Sequence, residues 1–184
     1  MNLTNASFFL HSELDFLGWG SFIAGLTHPV LGPDHLLAML SVGIVSAQIG
    51  GTAIWTVPAT FVGVMAVGGL VGLAGIPLPW LEVGIALSVV VLGLIIAVDQ
   101  RLPFVAILTG VALFALFHGY AHGVEIPETS QPMDYIQGFM LGTAAIHLAG
   151  VGIGHWGQRL PRGNDILRFV GLIIATCGVY FLLR

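Results

Sequence analysis

The chain has 184 residues, 57% of them hydrophobic and only 8% charged, with a net charge of −4. Soluble domains carry about 25% charged residues, so the composition is that of an integral membrane protein, and its acidic balance leaves no basic patch for nucleic acid. The chain has no lysine, which excludes Schiff-base chemistry, and its single cysteine, Cys177, excludes an intrachain disulfide.

In chain order, the amino end from Met1 to Phe9 has no basic residue ahead of its short apolar patch, so it does not read as a secretory signal. A spanning helix needs about 20 apolar residues. Spans are predicted over Leu14–Leu31, Asp34–Ile49, Ala53–Gly75, Trp80–Val98, Pro103–Gly123, Tyr135–Trp156 and Asp165–Leu183. The fold class is therefore an all-α membrane bundle of about seven helices, with a Pro/Gly-interrupted break between the first two. If that break is re-entrant, the first pair forms one crossing plus a half-helix. No internal repeat, linker or soluble domain stands out, so residues 1–184 form a single transmembrane domain. Gly68/Gly72, Gly119/Gly123, Gly138/Gly142 and Gly150/Gly154 have the small-xxx-small spacing of close helix contacts. Arg101, Arg159, Arg162 and Arg168 place their loops in the cytoplasm by the positive-inside tendency, leaving the acidic Glu125–Asp134 loop outside. With seven crossings the amino end is inside and the carboxyl end outside, against which Arg184 is a mild contradiction.

The stretch Thr27-His28-Pro29-Val30-Leu31-Gly32-Pro33-Asp34-His35 puts two imidazoles and a carboxylate at a helix break. Broken helices at membrane depth are tolerated where they line a polar cavity, and ionisable groups there point to function. Taken singly, Asp34 is placed to cap the next helix and His28 to satisfy freed carbonyls. Met39, four residues after His35 and on its helix face, is either packing or a soft ligand. His118 and His122 have the HxxxH spacing of a metal pair, with Glu125 three residues on; the alternatives are interhelical hydrogen bonds and the start of a loop. Glu82 fits a helix N-terminus or a snorkelling position as well as a transport path. His147, mid-span, is a ligand, a partner that orients one, or an interhelical hydrogen bond. His11 and His155 read as interfacial, and Asp165 as a helix cap.

Imidazole and carboxylate suit nickel, cobalt or zinc, and a cysteine-free set argues against a copper(I) carrier. The metal site is expected from His28, Asp34, His35, His118, His122 and Glu125, with Glu82, His147 and Met39 on the path or supporting it. Such a set serves a transporter or an intramembrane zinc-dependent hydrolase; a third alternative is a haem-binding electron carrier.

Three segments carry a family resemblance: His28-Pro29 through Gly32-Pro33-Asp34-His35 with Ala38-Met39; Phe117-His118-Gly119-Tyr120-Ala121-His122-Gly123-Val124-Glu125; and Gly138 to Gly150 with His147. Glu82 to Gly93, including Ser88, adds a fourth. The chain resembles the HupE/UreJ family of nickel/cobalt permeases, bacterial membrane proteins associated with hydrogenase and urease maturation or cobalamin regulation. The resemblance covers nearly the whole chain. It implies that His28, Asp34, His35, Glu82, His122 and Glu125 serve transport. It also implies Ni²⁺ or Co²⁺ as cargo, no prosthetic group, and a multi-pass place in the bacterial inner membrane. Many members begin with a cleavable export signal, which this chain does not show, and an exported amino end runs against the arginine-based orientation. In a separate nickel/cobalt transporter group, four residues part the first His from the Asp-His pair, against five here. The expected partners are the dication and the bilayer, and a homo-oligomer stays open.

Overall fold

The computed structural model describes residues 19–98, 102–127 and 130–184. The expectations for Met1–Phe9, His11, the start of the first span and the Asp99–Arg101 loop lie outside the described residues. Those described form α1 (Trp19–Leu31), α2 (Pro33–Ile49), α3 (Ala53–Leu73), α4 (Leu81–Val98), α5 (Phe104–Val124), α6 (Pro132–Gly157) and α7 (Gly163–Leu183). Of the helix ends expected from hydropathy among these residues, the start of α6 differs most, at Pro132 instead of Tyr135. Pro132 is preorganised for a first helical turn and needs no N–H there.

Five helices, α3 to α7, are long and apolar enough to cross a membrane; α1 and α2 pass that test only together, bent by 82°. Counted as one broken span, the pair brings the crossings to six. The break is local chemistry. Pro29 lies inside α1. Gly32 is extended, at φ −90° and ψ 111°, with Pro33 following as the first residue of α2. Proline disfavours helical backbone in the residue before it, so the helix stops at Leu31 and restarts one residue later. At the other end of α2 the chain turns through Gly50 and Gly51, at φ 76° and 57°, a conformation that side-chain-bearing residues rarely adopt.

Close packing positions the helices. α3 packs chiefly on α5, α4 on α7, and α6 on both α1 and α2. All four small-residue pairs lie at these contacts. A methyl group on Gly119 would strike the carbonyl of Met65, and one on Gly68 that of Leu116, so the α3 and α5 backbones touch beside His118 and His122. Gly138 and Gly142 admit Phe22 and Leu26 of α1, while Gly150 and Gly154 admit Leu40 and Ile44 of α2. α2 and α6 run in the same direction, Gly43 meeting Gly150 and Ala47 meeting Gly154. Carried back along α2, that register sets Pro33 roughly 12 Å inward from the start of α6, so the break lies at membrane depth.

Beyond its first turn α2 is apolar on every face apart from Ser41, Ser46 and Gln48, and Ala38 to Ala47 are buried except Leu40, which is half-buried; it is the central helix. Large apolar residues such as Leu70, Val105, Leu141 and Phe169 are exposed on the outside of the bundle, where lipid takes the place of water. Opposite the break, polar side chains secure helix ends. Arg168 Nε donates to the Ala97 carbonyl at 3.0 Å, and Gln158 Nε2 to that of Ala47 at 3.1 Å. Asp165 sits in the first turn of α7, whose N-cap is Arg162; the helix starts before Asp165, which is therefore not its cap.

Candidate metal-binding site

The break, the end of α5 and the start of α4 meet around a cleft of about 370 Å³ bordered by His28, Asp34, His35, Glu82, His122 and Glu125. His28 comes from the last turn of α1, Asp34 and His35 from the first turn of α2, and Glu82 from the first turn of α4. α5 ends at Val124, and Glu125 follows as its C-cap, its N–H donating to Ala121 O at 3.0 Å. From there one carboxylate oxygen serves two helices. Glu125 Oε2 lies 3.3 Å from His28 Nε2 and 3.6 Å from His122 Nδ1. His28, with this partner, does not take the role of satisfying freed carbonyls. Ligand atoms of His28, His122 and Glu125 all lie within 4.8 Å of one another. Ligands about 2.1 Å from a tetrahedral dication stand roughly 3.4 Å apart, so this trio could hold an ion after a contraction.

Behind it lies a second pair of imidazoles. The His35 ring is 4.4 Å from that of His122 and 4.7 Å from that of His118. Asp34 Oδ1 accepts the His35 backbone N–H at 2.8 Å and lies 2.9 Å from His35 Nδ1. It thus relieves an orphan donor of the first helical turn and orients the His35 ring, as carboxylates do behind metal-bound histidines. No side chain caps α2 at its N-cap, Gly32.

The burial of these rings is costly unless something binds them. His35 Nε2, His118 Nδ1 and both nitrogens of His122 are buried without a hydrogen-bond partner. Each such orphan costs about 1–3 kcal/mol. A cation that accepts lone pairs resolves several at once, and Asp34, Glu82 and Glu125 supply offsetting charge.

Not every expected residue is here. His147 is fully buried and does not border the cleft; the Phe61 ring lies 5.0 Å from that of His147 and 5.6 Å from that of His118. Both His147 nitrogens are unpartnered. Met39 lies in the apolar core with Val42, Phe61 and Met65 and does not border the cleft. Glu82 is exposed at the cleft's rim, and His155 is exposed beside Trp156.

Other contacts were not read as part of the site. Ser88 Oγ lies 2.9 Å from His118 Nε2. Phe139 packs on His122 with ring centroids 3.9 Å apart, and the hydroxyl of Tyr135, whose ring is 5.9 Å from that of His28, is buried without a partner. A serine one helix away leaves no periodic mark in sequence; Ser88 was marked only as part of the Glu82–Gly93 resemblance, and Tyr135 only by its hydroxyl at the edge of a span.

The family model described as "HupE / UreJ protein" matches residues 1–181. The chain is 41% identical over 162 residues to Protein HupE of Rhizobium leguminosarum bv. viciae, covering 87% of this chain and 83% of that protein. No solved structure matches.

Proposed function

The chain belongs to the HupE/UreJ family, and we propose that it is a permease of the bacterial inner membrane that imports Ni²⁺ or Co²⁺. The metal would supply hydrogenase, urease or cobalamin. The observation that carries this reading is the meeting of His28, His122 and Glu125 from separate helices beside buried imidazoles that have no other partner. Glu82 stands at the entry, and the fully buried His147, beside Phe61, lies further along the path. The protein acts here as a carrier and not as an enzyme.

Sidedness follows from the crossing count. With the loop of Arg159 and Arg162 in the cytoplasm, the opposite end of the bundle, with Glu82 and Glu125, faces outward. With α1 and α2 counted as one broken span, the six crossings would put the start of α1 on the same side as the end of α7. Inward movement of a dication gains roughly 4.6 kcal/mol per 100 mV, enough for modest accumulation without a coupled proton.

The test is uptake of radioactive Ni²⁺ by liposomes holding intact protein, His35→Ala or Glu125→Ala. Uptake by the intact protein, lost in both variants, is expected. Equal uptake in all three sinks the site. No uptake by folded intact protein, with cleavage of a membrane peptide instead, would favour the zinc hydrolase.

A further inference from the structure

We propose that the cluster offers two metal positions used in turn: an outer one on His28, His122 and Glu125, and an inner one on His35 Nε2 and His118 Nδ1. In this arrangement Ser88 and Asp34 are positioning residues that decide which nitrogen of each inner ring is free. The inference rests on the metal-transport reading above.

Hydrogen-bond donors and acceptors fix the inner pair. Ser88 has one hydroxyl proton and two neighbours, the Ile85 carbonyl at 2.6 Å and His118 Nε2 at 2.9 Å. The carbonyl can only accept, so the Ser88 proton goes there, and Ser88 accepts from His118. His118 therefore carries its proton on Nε2 and leaves Nδ1 bare. At His35 the anchor is on the other nitrogen. The Asp34 carboxylate, an acceptor, lies 2.9 Å from Nδ1, which leaves Nε2 bare. Two neighbouring rings, 4.7 Å apart and nearly perpendicular, are thus held in opposite tautomers. Their two bare nitrogens are the ones that lack any partner, in residues 8% and 0% exposed. Two lone pairs without donors suit a dication that takes imidazole, such as Ni²⁺, Co²⁺ or Zn²⁺.

The outer trio is separate from this pair. It has its own carboxylate, Glu125, whereas the inner pair has Asp34 behind His35. His122 stands between them, its ring 4.8 Å from that of His28 and 4.4 Å from that of His35. Two dications this close repel strongly where the dielectric constant is low, so the positions are filled alternately. An ion leaving Glu125 for the inner pair moves past His122 toward Phe61.

The test uses the full-length protein in detergent with Co²⁺ as probe, read by its ligand-field absorption. The intact protein binds one equivalent. His28→Ala combined with Glu125→Gln still binds one, more weakly and with a changed spectrum. Adding Ser88→Ala to that pair weakens the remaining binding by about tenfold or more, and Ser88→Thr in its place restores it. Ser88→Ala alone leaves Co²⁺ affinity within about threefold but lowers liposome uptake by about tenfold or more. Nitrogen NMR of metal-free, unsubstituted protein shows His118 protonated on Nε2 and His35 on Nδ1, a readout that does not depend on any variant folding. The proposal is overturned if His28→Ala with Glu125→Gln abolishes Co²⁺ binding, which means one shared site. It is also overturned if either tautomer is reversed, or if Ser88→Ala alone weakens Co²⁺ binding as much as His28→Ala. No Co²⁺ binding by the intact protein would remove the transport reading itself.

Discussion

His28 Nε2 lies 3.3 Å from Oε2 of Glu125, so the broken first helix is tied to the end of α5 through a residue just past that helix. The same oxygen faces His122 Nδ1 at 3.6 Å. Glu125→Gln keeps the shape and removes the charge, and is expected to lower Ni²⁺ affinity by about 10–100-fold. Competition with a chelating dye measures it. Unchanged affinity would exclude Glu125 as a ligand.

Metal binding needs neutral imidazoles, so protons compete with the ion. Each histidine that must lose a proton makes apparent affinity fall as pH falls. Acidification across the usual imidazole range, from about pH 8 to about pH 5, is expected to weaken Ni²⁺ binding and to release bound metal. Affinity that rises on acidification would count against histidine ligands. Calorimetry at several pH values separates the two.

Asp34 gives the site charge and His35 its orientation. Asp34→Asn still offers an oxygen to the His35 backbone N–H, so α2 keeps its first turn, but the carboxylate behind the ring is gone. Nickel uptake is expected to fall by about 10–100-fold, with helix content and melting temperature nearly unchanged. A large fall in melting temperature would instead assign Asp34 a structural role.

Gly119 touches the Met65 carbonyl, so Gly119→Ala must push α5 away from α3. Overpacking of this kind costs about 1–3 kcal/mol, and it displaces the neighbouring His118. Lower thermal stability together with weaker metal binding is expected. Gly110→Ala, on the same helix with open space around it, is the control and should leave both unchanged.

The seven helices were legible because lipid demands long apolar runs with every backbone group satisfied within the helix. The break was legible because Pro29, Gly32 and Pro33 act on their own backbone. His118, His122 and Glu125 were visible as one group because three- and four-residue spacings share a helix face. Periodicity says which residues share a face, but not what lies across from it. The 82° bend between the two helices of the first pair depends on how α1 packs on α6. Ser88 meeting His118, and Phe61 packing against both His118 and His147, depend on helix neighbours that no local pattern specifies. For the same reason Met39, on the His35 face by spacing, was open as a ligand, although its surroundings are apolar core.

The first helix finds its main partner in α6 and not in the adjoining α2. The ribosome makes α6 more than a hundred residues after α1. Throughout the synthesis of α3, α4 and α5 the amino-terminal segment waits without the surface of Gly138 and Gly142 that receives it. The placement of His28 beside Glu125 thus depends on a packing surface on the last but one of the seven helices to be made.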